Sequence, residues 1–144
     1  MGKSALVAEL LRRGAEYLSD EYALIDSEGR VHSYPRPLLL RNSGPEQVPA
    51  LPEQWNVRIS DEPIPVGWIL ALKYDPAACW RVTPLPQSEA LIVLLRNTPH
   101  ALADKPHAFA TFKSASASAR CLEGCRNEAP KAAEHILQLV QDPR

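Results

Sequence analysis

Residues 2–41 read GKSALVAELLRRGAEYLSDEYALIDSEGRVHSYPRPLLLR, and the order of signals in this stretch decides the fold. Gly2, Lys3 and Ser4 are followed at once by apolar residues at helical spacing, Leu6 with Leu10 and Val7 with Leu11. Gly14 is a natural stop, so the pattern predicts a helix over 4–13. Gly-Lys-Ser therefore stands at a helix N-terminus, where backbone N–H groups and the helix dipole favour an anion. Residues 16–19 and 22–25 read as short strands. Asp26, Ser27, Glu28 and Gly29 form a turn cluster, and 30–34 is the return strand of a hairpin. Between the two short strands lie Asp20 and Glu21.

A phosphate-binding loop reads G-x-x-x-x-G-K-[ST] after a strand. Only its last three residues are present, so the strand and the first half of the loop are expected upstream of Met1. Such a loop needs a magnesium ligand at the end of a neighbouring strand. Mg²⁺ takes hard oxygen ligands, usually one or two carboxylates beside phosphate oxygens. Asp20 and Glu21 occupy the place where such acids sit in open α/β sheets. The plain alternative is a chance tripeptide and a solvated turn with two charges; the order of helix, strand, acid pair and hairpin weighs against it.

Further along, Pro35 and Pro37 keep the chain extended into 38–41. Pro45, Pro49, Pro52, Pro63 and Pro65 punctuate residues 42–66, which show no periodicity and read as a surface loop or lid, with Trp55 and Val57 to pin it. Residues 67–74 (GWILALKY) read as a buried strand and 80–83 as another. A helix is expected over 87–97 with Leu91, Leu94 and Leu95 on one face, and a second from a cap at Asp104 through Phe109 and Phe112 into the Ala/Ser run 114–119. A last strand is expected over 120–122, turning at Gly124. Asn127 then caps a final helix with a stripe of Ala133, Ile136, Leu137 and Val140.

Composition bounds the classes. The 144 residues carry 16 basic and 17 acidic side chains, a net charge of −1, which offers no basic stripe for nucleic acid. Apolar runs fall far short of the ~20 residues that span a bilayer. Three cysteines make no disulfide framework, and a cytoplasmic setting is expected. Cys121 and Cys125 with Cys79 and His135 lack the second tight pair of a zinc site. His32, His100 and His107 show no pairing motif. Arg36 and Arg41, at the Tyr34–Pro37 segment beside the acid pair, are candidate clamps for substrate or phosphate, or ordinary surface ion pairs.

Residues 2–41 resemble the start of the HPr kinase/phosphorylase-like domain, particularly the HPr-kinase-related bacterial proteins. That family shares its nucleotide-binding architecture with the phosphoenolpyruvate carboxykinases. The resemblance extends more loosely through the proline-rich middle, the hydrophobic strand, the PLP-x-x-EA helix start at Pro84 and the terminal strand and helix. It implies an α/β fold, a twisted mixed sheet packed with helices in one domain over 1–144, lacking its first strand. It implies a cytoplasmic P-loop transferase that uses ATP and Mg²⁺ to phosphorylate a hydroxyl. Gly2, Lys3 and Ser4 then end the phosphate loop, Ser4, Asp20 and Glu21 serve the metal, and one acid of the Asp20–Glu21 pair takes the acceptor proton. Authentic HPr kinases carry Asp-Asp there and a later glycine-rich signature that is absent here, which argues against HPr itself as acceptor. Family members often assemble into homo-oligomers. The competing reading is a non-catalytic remnant, a nucleotide- or peptide-binding module of the same fold.

Overall fold

The computed structural model describes residues 2–41, 46–56, 58–101 and 103–141, the side chains of Arg41 and Trp55 excepted. Within them the chain is mixed α/β, with three small sheets and four α-helices. Helix α1 (Lys3–Arg12) is followed by strands β1 (Leu24–Ile25), β2 (Arg30–His32), β3 (Leu38–Arg41) and β4 (Gln47–Ala50). Then come a 3-10 turn (Pro52–Trp55), β5 (Ile64–Pro65), β6 (Trp68–Tyr74) and β7 (Arg81–Pro84). Helices α2 (Gln87–Arg96) and α3 (Lys105–Ala117), strand β8 (Arg120–Arg126) and helix α4 (Ala129–Gln141) complete it. No helix among the described residues is long and apolar enough to cross a membrane.

The strands divide into separate sheets instead of joining one twisted sheet. β6, β8 and β7 form a mixed sheet in that order, β6 parallel to β8 over seven residue pairs and β7 antiparallel to it. β1, β2 and β5 form an antiparallel sheet, and β3 pairs with β4. The predicted 24–32 hairpin is present because Asp26 organises its turn. One carboxylate oxygen accepts from the Glu28 and Arg30 amides, and the other from Arg30 Nε at 3.0 Å and His32 Nε2 at 2.8 Å. These bonds hold the Asp26 carboxyl well below the usual carboxylate range, the Arg30 amide first among them.

Several sequence expectations change. Residues 16–19 are no strand; Tyr17 makes one isolated parallel bridge to Ile59. Among the described residues of the proline-rich segment only Pro52 is buried, and the segment supplies β4 and β5 and so is built into two sheets. Val57 and the Trp55 side chain, expected to pin it, lie outside the described residues. The last strand does not turn at Gly124 but runs on to Arg126. A glycine is required there because β7 passes close: a Cβ at Gly124 would lie 1.9 Å from the Arg81 carbonyl oxygen. Asn127 does not cap α4, since its Oδ1 is buried and accepts no hydrogen bond from the described residues. The buried stripe of α4 is Ala129, Ala132, Ala133 and Ile136, while Val140 is exposed. Small residues suit this stripe because α4 packs directly on α1. The Asp104 cap is present, its carboxylate accepting from the His107 amide at 3.1 Å.

The core beneath α1 is a tight cluster of Ala8, Leu11, Tyr17 and Leu38, with Val7 and Leu40 against it. Tyr17 and Leu38 are its largest fully buried side chains. This cluster ties α1 to β3 and to the loop that follows α1, and so fixes where Asp20 stands relative to the start of the helix.

Candidate functional site

The site is built where α1 begins. Gly2 precedes the helix with φ +85°, a left-handed conformation that favours glycine. Its missing side chain also leaves room for a neighbour: a Cβ there would lie 3.1 Å from Arg126 Nη2. Ser4, in the first turn, turns its hydroxyl back to donate to Asp20 Oδ2 at 2.6 Å across 16 residues of chain. The other carboxylate oxygen, Asp20 Oδ1, is buried and accepts no hydrogen bond from the described residues. Tyr17 anchors this loop. Its amide donates to the Arg58 carbonyl at 2.9 Å and its hydroxyl to the Arg36 carbonyl at 2.8 Å. Burial raises its phenol pKa, and the nearby Asp20 charge adds to the rise.

The expected acid pair is split. Asp20 faces Ser4, whereas Glu21 is exposed and lies 3.8 Å from Arg36 Nη1. Arg36 thus takes the surface ion-pair role, and the Arg41 side chain lies outside the described residues.

Gly2, Lys3 and Ser4 line a cleft of about 500 Å³ together with Tyr74, Arg126 and Glu128. Arg126 ends β8 and is only 5% exposed. Its guanidinium stacks over the Tyr74 ring with Cζ 5.0 Å from the centroid, and Nη1 donates to the Asn127 carbonyl at 3.2 Å. Tyr74 in turn donates to Glu128 Oε1 at 2.6 Å, a bond that raises the Tyr74 pKa. The parallel pairing of β6 with β8 brings these residues together, since the two strands end side by side at Tyr74 and Arg126. Two cations, Lys3 and Arg126, and a helix N-terminus therefore border one cleft, which suits an anion. Ser4 and Asp20 present oxygen donors beside it, which suits a hard divalent cation.

The sequence reading did not single out Tyr74, Arg126 or Glu128 as site residues. Its stop at Gly124 cut β8 short of Arg126. The remaining candidates separate. His135 stacks on Trp80 with ring centroids 5.2 Å apart. Cys79 is exposed, and burial pushes the Cys121 thiol up. Among the described residues no group of three or more His, Cys, Asp or Glu could hold a metal ion. Compared with known proteins, the chain matches no family model, no curated protein and no solved structure.

Proposed function

We propose that this chain carries the phosphate- and metal-binding half of a phosphoryl-transfer site, with ATP·Mg²⁺ as donor and a hydroxyl as acceptor, in an HPr kinase/carboxykinase-like P-loop architecture. The observation that carries the reading is the 2.6 Å hydrogen bond from Ser4 to Asp20 at the start of α1. The bond brings a hydroxyl and a carboxylate, two hard oxygen ligands, together at the start of a helix. The buried, partnerless Asp20 Oδ1 fits the same view, because a half-satisfied buried carboxylate is costly and a cation would satisfy it. Ser4 and Asp20 would hold Mg²⁺, which when bound neutralises charge on the β- and γ-phosphates. Gly2 allows the close backbone approach that a phosphate needs. Lys3 and Arg126 balance the remaining negative charge from two sides of the cleft. Of the two acids, Glu21 is the one left for the acceptor: it is exposed, where a hydroxyl can reach it, and Arg36 beside it can orient that group.

The same exposure of Glu21 also favours a second reading, a nucleotide-binding module without turnover. A general base works within hydrogen-bond reach of its proton, and here Glu21 is engaged with Arg36 at the surface. Titration calorimetry with ATP and Mg²⁺ tests both. The chain is expected to bind, and Lys3→Ala and Asp20→Asn each lower the affinity at least about tenfold, or 1.4 kcal/mol. Binding with transfer of the γ-phosphate to serine-containing peptides supports the kinase. Binding without transfer supports the module, and no binding contradicts both.

A further inference from the structure

Helix α3 packs against both α2 and β1. Between α3 and β1 lies a cavity of about 330 Å³, with Leu24 and Ile25 of the strand and Asp104, His107, Thr111 and Phe112 of the helix among its walls. Asp104, His107 and Thr111 recur at helical spacing and so share one face of α3. The volume is that of a small-molecule site at the lower end of the usual range. The cavity shares no lining residue with the cleft at Gly2.

Its polar groups say what it takes. Thr111 is 5% exposed, and its Oγ1 is buried with no hydrogen-bond partner among the described residues. The Thr98 hydroxyl, by contrast, donates to the Leu94 carbonyl at 2.8 Å. A buried hydroxyl left unpaired is costly, and a guest that pairs with it removes that cost. A helical threonine has two χ1 wells open to it, so one rotamer step turns the hydroxyl toward a guest. Asp104 is the sole acid lining the cavity, and no lysine or arginine lines it. One carboxylate oxygen of Asp104 accepts from the His107 amide at 3.1 Å, and among the described residues Asp104 forms no ion pair. Its charge is therefore left for a cationic donor. The imidazoles of His100 and His107 line the cavity too and, when neutral, each offers a ring nitrogen as acceptor. Leu24, Ile25, Ala108 and Phe112 supply the apolar surface for the body of the guest. Asp104 and Thr111 are seven residues apart, two turns or about 10 Å along the helix axis.

We propose that this cavity binds a small arylalkylamine with a hydroxyl on its ring: the ammonium on Asp104, the ring against Phe112 and β1, the hydroxyl on Thr111. A ring with a two-carbon amine chain para to its hydroxyl spans most of the distance between those two residues, and their side chains cover the rest. A carboxylate in place of the amine meets Asp104 as a like charge. A guest without the hydroxyl leaves Thr111 unpaired.

Titration calorimetry of the full chain with tyramine, the para-hydroxyphenyl ethylamine, tests the proposal. Tyramine is expected to bind saturably. Phenethylamine, which lacks the hydroxyl, should bind at least about threefold more weakly, and para-hydroxyphenylpropionate, which carries an acid in place of the amine, at least about tenfold more weakly. Asp104→Asn keeps a good helix cap and should lower tyramine affinity at least about tenfold. Thr111→Val replaces the unpaired hydroxyl by a methyl and should abolish the preference for tyramine over phenethylamine while keeping the preference for amine over acid. Circular dichroism checks that both variants are folded. Any one of three results overturns the proposal: no saturable binding of tyramine by wild type, equal binding of the acid, or folded variants that bind all three compounds as wild type does.

Discussion

Removing the Ser4 hydroxyl should cost more with Asp20 present than without it. The Ser4–Asp20 bond is short, at 2.6 Å, and charge-assisted, a class worth about 1.5–3 kcal/mol net. Asp20 is half-buried, which places the value toward the lower end. Ser4→Ala leaves a carboxylate whose other oxygen is already partnerless, so neither oxygen is then satisfied. Against this, alanine is the better helix former by about 0.5 kcal/mol, a gain that is the same in either background. Asp20→Asn removes the charge that is expensive to bury, so it should destabilise less than Ser4→Ala. In the Asp20→Asn background, Ser4→Ala should cost under about 0.5 kcal/mol, giving a coupling energy of about 1–2 kcal/mol. Urea unfolding of the four proteins, read by tryptophan fluorescence with a common slope, measures this cycle. A coupling below about 0.3 kcal/mol, the usual scatter for independent sites, would refute the view that these two side chains act as a unit.

Three other outcomes are expected. Leu38→Ala, at a fully buried position of β3 packed against α1, should destabilise by about 2–5 kcal/mol in the same urea assay, whereas Leu39→Ala, on the exposed side of the same strand, should cost under about 1 kcal/mol. Gly124→Ala forces a methyl against the Arg81 carbonyl and should lower Tm by about 10 °C, corresponding to roughly 3 kcal/mol, with β7 amides losing exchange protection first. Asp26 has a depressed folded-state pKa, so its contribution is complete above the ordinary value of 3.8 and is lost as pH falls below it. Acid titration should therefore show a gap between wild type and Asp26→Asn at pH 6 that begins to narrow only below about pH 4 and keeps narrowing as the pH falls further; a gap that widens on acidification has the wrong sign.

Much of the helical framework is legible in residues 1–144 because it is written locally. The spacing of Leu6, Val7, Leu10 and Leu11, the cap at Asp104 and the Asp26 turn each act within a few residues, and each element formed close to where its signal stands. What was not legible depends on contacts far apart in sequence. Tyr17 looks like a strand residue, but it is buried as a lone anchor because Ile59, Arg36 and Arg58 meet it. The prolines of 42–66 hid β4, since β3 pairs with it across Pro49 on a two-stranded ribbon where a lost donor is tolerated. Gly124 read as a turn because close approach of β7 and a chain reversal call for the same residue. The meeting of Ser4 and Asp20 at the start of α1 was readable from the order of helix and acid pair. The separation of Glu21 from Asp20 was not, because adjacent residues in an irregular loop carry no rule for which one turns inward. Arg126 was missed for a related reason: its place beside Gly2 is set by the parallel register of β6 and β8, which no local pattern encodes.

The central claim, that Ser4 and Asp20 form a metal–phosphate site at the start of α1, is tested most directly with Mn²⁺ in place of Mg²⁺. Water-proton relaxation enhancement is measured for Mn²⁺·ATP with wild type, Asp20→Asn and Glu21→Gln. The account predicts enhancement with wild type and Glu21→Gln and its loss with Asp20→Asn. Loss with Glu21→Gln alongside full enhancement with Asp20→Asn, or no enhancement with wild type, would contradict it.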